Sequence, residues 1–189
     1  MQRTYKTRRR TGRQSRRMTT DTPAAPASAT APAPAPSGTT APASVAGPAA
    51  LPPVRFDTKI AVLLRADLET WQRLNVTAFL VSGLGTAAPE VIGEPYEDAD
   101  GVRYQPMFRQ PVLVFEGDKE TLTAAHARVL SRALPRAVFT GDLFATGNDR
   151  DNRASVRAVP TDALDLVGLA VYGPRNAVDK VLKGARMHP

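Results

Sequence analysis

The sequence predicts an α/β fold, and three observations carry that prediction. Three apolar runs of strand length, Lys59–Arg65, Pro111–Phe115 and Leu166–Tyr172, read as strands, the first of them covered on both faces. Segments with helical spacing of apolar residues lie between and after them. Strands alternating with helices mean layers of helix on sheet. About 130 residues suit a single core.

Taken in order, Lys59-Ile-Ala-Val-Leu-Leu-Arg65 is the first core strand. Asp67 follows as a candidate N-cap for a helix from about Leu68 to Ser82, with Gly83 or Gly85 as its stop. The second half of that helix (Val76, Ala78, Phe79, Leu80, Val81) is apolar nearly all round, so burial is expected. Asp100-Gly101 reads as a hairpin turn between Tyr96 and Tyr104. Pro111–Phe115 is the second core strand. Asp118 caps a helix from Lys119 to about Leu134, with Leu122, Ala125, Val129, Leu130 and Ala133 on one face. Ala137–Phe139 is a short third strand. Asn148 caps a short helix with Asp149 and Asp151 in its first turn and Arg153 and Arg157 later, matching the helix dipole. Leu166–Tyr172 is the fourth strand. Gly173-Pro174 opens a terminal helix with Val178, Val181, Leu182 and Ala185 inward.

The chain ahead of this domain differs in kind. Residues 1–18 carry eight basic side chains and no acid; from Lys59 onward the 16 basic and 16 acidic residues cancel. The +7 formal charge therefore belongs to the first segment. Three readings compete for it: an arm that touches phosphates, a transit peptide, or an untranslated stretch before a start at Met18, which the composition change favours. Residues 19–54, rich in Ala and Pro, read as an extended disordered linker, because such a segment buries too little apolar surface to offset ordering entropy. The folded domain is expected over 55–189.

Composition narrows the chemistry. The absence of cysteine rules out disulfides, Cys-ligated zinc and thiol nucleophiles, and two histidines leave little for metal sites or a Ser-His-Asp triad. No apolar run reaches the ~20 residues of a membrane span. Gly83-Leu-Gly85 follows a helix, so it is not a phosphate loop. No cofactor and no metal are assigned.

Candidate residues cluster at strand carboxyl ends, where open α/β sheets bind ligands. Asp67 follows the first strand. Asp142 and Thr146, four residues apart after the third, can face one point as a proton acceptor and a hydroxyl donor, or act as a capping pair. Asn148, Asp149, Asp151 and Asn152 resemble a cation loop but lack its glycine and distal glutamate, and capping explains them. His126 is expected half-buried on its helix. Trp71 reads as a core or rim aromatic.

Several motifs in order carry a family resemblance. Lys59-Ile-Ala-Val-Leu-Leu-Arg-Ala-Asp-Leu68, Trp71-Gln-Arg-Leu-Asn-Val-Thr-Ala-Phe79, Gly93-Glu-Pro-Tyr96, Ala145-Thr-Gly-Asn-Asp149, and Gly173-Pro174 with Val178-Asp-Lys180 resemble the domain of unknown function 2000 family over Lys59 to Pro189. More distantly the chain resembles the type II peptidyl-tRNA hydrolases. The shared residues are Arg65, Asp67 and Leu68 after the first strand, Asp142 and Thr146 after the third, and Gly173-Pro174 before a helix bearing Asp179-Lys180. The resemblance implies a three-layer α/β/α sandwich around a mixed four-stranded sheet.

In those hydrolases a lysine, an aspartate and a threonine cleave the ester joining peptide to tRNA. Asp142 and Thr146 match the last two, and Asn75 stands at the lysine position. The Gly-Lys and Gln-x-x-His of that helix are replaced by Leu74-Asn75 and Phe79-Leu-Val-Ser82. Asparagine can orient a water or a carbonyl but supplies no cation for an oxyanion. The resemblance thus implies an altered site that binds a small molecule or nucleotide-like ligand, centred on Asn75, Asp142 and Thr146, with Asp67, Thr77 and Asn148 as further ligand contacts. The rival is a hydrolase of an ester or amide of a peptidyl- or aminoacyl-tRNA type substrate. The resemblance also implies tRNA or a small molecule as partner and a homodimer, whereas the lack of a spanning run and of a secretory-signal core leads to the expectation of no membrane contact and a cytoplasmic location.

Overall fold

A computed structural model describes residues 54–188. The expectations for the basic arm and for all of the linker but Val54 lie outside the described residues. The elements in chain order are β1 (Thr58–Arg65), α1 (Thr70–Ala87), a 3₁₀ turn (Pro89–Val91), β2 (Tyr96–Glu97), β3 (Arg103–Tyr104), β4 (Val112–Gly117), α2 (Lys119–Ser131), β5 (Arg136–Thr140), a second 3₁₀ turn (Gly141–Ala145), α3 (Asp149–Arg157), β6 (Leu166–Pro174), α4 (Arg175–Val181) and β7 (Arg186–Met187).

The main sheet is mixed, in the order β5-β6-β1-β4-β7. β1 runs parallel to β4 and antiparallel to β6; β5 and β7 pair antiparallel with β6 and β4. Alternate residues of β1 feed two cores, as a pleated strand must. Ile60, Val62 and Leu64 pack with Val76, Leu80 and Leu84 of α1. Ala61 and Leu63 pack with Leu122, Ala125 and Val129 of α2 and with Val178 and Val181 of α4. β2 and β3 form the expected hairpin around Asp100-Gly101, and Gly101 has the positive φ such a turn requires.

The sheet has five strands, which corrects the four expected. The terminal helix stops at Val181, and Gly184 (φ +96°) takes the left-handed conformation that ends a helix and turns the chain back. Ala185 and the residues after it therefore leave the helix. Arg186 and Met187 then pair with Glu116 and Phe115.

α1 differs from expectation at both ends. It starts at Thr70, capped by Glu69, whose backbone N–H donates to the Gln72 side chain (2.9 Å). Asp67 does not cap it; its carboxylate instead accepts from Arg65 Nε (2.8 Å). Gly83 and Gly85 do not stop it. A Cβ on Gly83 would lie 3.1 Å from that of Ala137, so the missing side chain lets α1 settle on β5. Burial is also one-sided: Val76, Leu80 and Leu84 are buried, whereas Trp71, Leu74 and Phe79 are more than half exposed. Among the described residues no helix is long and apolar enough to cross a membrane.

Candidate functional site

The sequence candidates distribute over three hollows. The first lies between α1 and the connection from β5 to α3, and Asn75, Thr146 and Asn148 all line it. Its volume is about 380 Å³. Asn75 comes from the second turn of α1. Thr146 and Asn148 come from the turn that follows β5, about 70 residues later, and are brought across by the packing of α1 on β5 and β6.

Local hydrogen bonds fix the far wall. The Thr146 hydroxyl donates to the Leu143 carbonyl (2.8 Å) and lies against the Asn152 carboxamide oxygen. Asn148 caps α3: its Oδ1 accepts from the Asp151 backbone N–H (3.0 Å), and its Nδ2 donates to the Asp151 carboxylate (2.7 Å). Asp149 pairs with Arg153 (2.9 Å), one turn on. The capping reading of this segment is thus what the geometry shows. Among the described residues no cluster of three metal-ligating side chains occurs.

The floor is aromatic. Trp71 packs edge-on against Phe144, Phe144 against Phe139, and Phe139 against Phe79, with centroids 5.7, 5.2 and 5.8 Å apart. Trp71 and Phe79 flank Asn75 at four residues on either side, so all three lie along one stripe of α1. The Trp71 indole N–H donates to the Glu69 carboxylate (2.8 Å). Asn75 is exposed, and its amide has no hydrogen-bond partner among the described residues. No Lys, Arg or His lines this cleft. Asp142 sits on the 3₁₀ turn beside Leu143, exposed, and does not line it.

Thr77 lies elsewhere, in a hollow of about 1020 Å³ between α1 and β4. Its hydroxyl donates to the Arg73 carbonyl (2.8 Å). This hollow holds a charged group that sequence reasoning missed. The side chain of Glu116, only 7% exposed, accepts from Arg73 Nη1 and Arg186 Nε, both at 2.8 Å. The Arg73 hydrogen bond, with that of Arg186, holds the Glu116 carboxyl below its ordinary range. Arg73 also donates to the Leu68 and Ala66 carbonyls and lies 3.0 Å from His188 Nε2, so it ties the β1–α1 turn to β4 and the C-terminus. A glutamate ending the apolar run Val112–Phe115 was the available signal.

Asp67 lies in a third hollow with Arg65, Asp118, Lys119 and Asp165. Asp165 accepts from both Lys119 (2.8 Å) and Arg65 (2.9 Å), which lower its carboxyl pKa. His126, expected half-buried, is buried, and that burial together with Arg136 pushes its pKa down.

A five-stranded mixed sheet with a strand-end cleft floored by aromatic rings defines the class: a small α/β domain with a preformed hollow. The chain belongs to the family described as "Protein of unknown function (DUF2000)", which it matches over residues 58–189. Among solved structures it is similar to the protein of unknown function Atu0240 from Agrobacterium tumefaciens strain C58. The two are 45% identical with a TM-score of 0.69, over 71% of this chain and 100% of that one. No curated protein matches it.

Proposed function

We propose that the domain is a small-molecule-binding module and that its site is the cleft holding Asn75, Thr146 and Asn148. One observation supports this above the others: polar side chains from segments about 70 residues apart line one hollow over an aromatic floor, with the Asn75 amide unpartnered. Concave, mostly apolar hollows with a few convergent polar groups are the usual form of ligand sites. Asn75 and Thr146 would hold a polar atom of the ligand, and Asn148 and the start of α3 would form the rim. The proposed role of Asp142 is to add negative charge at the mouth beside Leu143. Ester hydrolysis is the less favoured reading, because no cation lines the cleft to stabilise an oxyanion.

Trp71 is the only tryptophan, and it borders the cleft, so its fluorescence reports occupancy. A metabolite screen with the full chain should yield a ligand that changes Trp71 emission and raises Tm. Asn75→Ala should weaken that ligand about five- to thirtyfold, the effect of losing one or two hydrogen bonds. A ligand that binds Asn75→Ala as tightly as wild type would place the site elsewhere. Peptidyl-tRNA supplied to the full chain should release no more tRNA than with Asp142→Ala; a clear excess would establish the hydrolase instead.

A further inference from the structure

The rings, the charges and the one unpartnered amide around this cleft favour one chemical class of ligand. We infer that the cleft takes a small alkylated ammonium cation. The inference rests on the ligand-binding reading above and goes beyond it by naming what binds.

The first support is ring geometry. Trp71 and Phe144 meet at 69°, Phe79 and Phe139 at 74°, and Phe139 and Phe144 at 47°. Contacting rings so inclined offer no parallel walls to sandwich a flat base. All four rings line the cleft, and ring faces attract cations through their quadrupole, most strongly at tryptophan. The hydrogen bond from the Trp71 indole to the Glu69 carboxylate adds electron density to that ring.

The second support is charge. Ionic groups that line the cleft, adjoin a lining residue or bond to one are the carboxylates Glu69, Asp142, Asp149 and Asp151 and the guanidiniums of Arg150 and Arg153. Asp149 pairs with Arg153 and Asp151 with Arg150, so the surplus of two carboxylates rests on Glu69 and Asp142, and no cation reaches the lining itself. A phosphate or carboxylate ligand would enter against that field; an ammonium would enter with it. Asn75 is the third support. An unpartnered carboxamide at this position offers its oxygen to a cation, where a lysine would repel one.

The test titrates the full chain at constant ionic strength, reading Trp71 emission and Tm. The probes are choline, its neutral isostere with tert-butyl in place of trimethylammonium, adenosine, and inorganic phosphate. Choline should give a saturable change and raise Tm. The neutral isostere should bind about two- to fivefold more weakly, the cation–π contribution of an exposed site. Asn75→Lys, at an exposed position, should abolish choline binding and keep the wild-type circular dichroism and Tm. Phe144→Leu should weaken it about twofold or more. Equal binding of choline and its isostere would overturn the cation assignment while leaving the cleft a ligand site, and so would saturable binding of adenosine without choline. Silence from all four probes, together with a blank metabolite screen, would overturn both readings.

Discussion

Two residues show how little room the packing leaves. Gly168 sits in β6 where α1 crosses the sheet. A Cβ there would come 2.4 Å from Val76 Cγ1 and 2.9 Å from Leu80 Cδ1, and both of those side chains are fully buried in the core. Neither can swing into solvent, so α1 must shift. Gly168→Ala should destabilise by about 1–3 kcal/mol, the usual cost of overpacking, and lower Tm in a thermal melt. Because α1 carries Asn75 and Trp71, the same variant should also weaken ligand binding; an unchanged Tm would mean that α1 rides higher on the sheet than described. Glu116 makes the electrostatic counterpart. Its carboxyl is held below the ordinary glutamate value, so its contribution to stability is present above that value and is lost as pH falls through the depressed one. Glu116→Gln should therefore lower Tm at pH 7, and the gap between variant and wild type should narrow progressively as pH falls below the ordinary glutamate range. A gap that stays constant across that window would show that neither Arg73 nor Arg186 acts through the charge.

At the scale of elements, what the sequence shows depends on whether an element is specified locally. β1 and β6 are apolar runs covered on both faces, and their positions follow from that alone. α2 is legible twice over, from the spacing of Leu122, Ala125 and Val129 and from Asp118, whose carboxylate accepts from the Thr121 N–H (2.8 Å). β7 is not legible, because its two residues become a strand only by pairing with the edge of β4. The exposed face of α1 misleads in the other direction. Apolar composition all round in its second half implies burial, yet Phe79 lines a cleft instead of a core. The candidate site was readable only through family resemblance, since nothing local relates Asn75 to Thr146, and the Arg73–Glu116–Arg186 group joins three elements far apart in sequence. α3 carries a further test. It has no buried residue, so its cap matters more than its packing. Asn148→Ala should cost about 0.5–2 kcal/mol locally and speed amide exchange over 149–157 in hydrogen–deuterium exchange, with the strands unaffected. Uniform loss of protection would mean that α3 unfolds only with the whole domain.

For the whole molecule, charge divides the chain as sharply as composition does. Residues 1–18 hold eight basic side chains without an acid, whereas the chain from Lys59 onward is balanced, 16 against 16. Within the domain many charges are also spent on one another: Arg65 and Lys119 on Asp165, Arg73 and Arg186 on Glu116, Lys59 on Asp179. A nucleic-acid-binding domain would carry a basic face of its own. Any affinity of the full chain for a polyanion should then reside in its first 18 residues, fall linearly with log salt at a slope set by the number of phosphates contacted, and vanish in a chain starting at Met18. Filter binding of tRNA to the two chains, between 50 and 200 mM salt, measures this directly. The cleft makes the opposite prediction. Its ligand would meet aromatic rings and amides, so occupancy read from Trp71 should be the same in both chains. If deleting the first segment abolished cleft binding and left tRNA binding intact, charge and cleft would have exchanged the roles assigned to them.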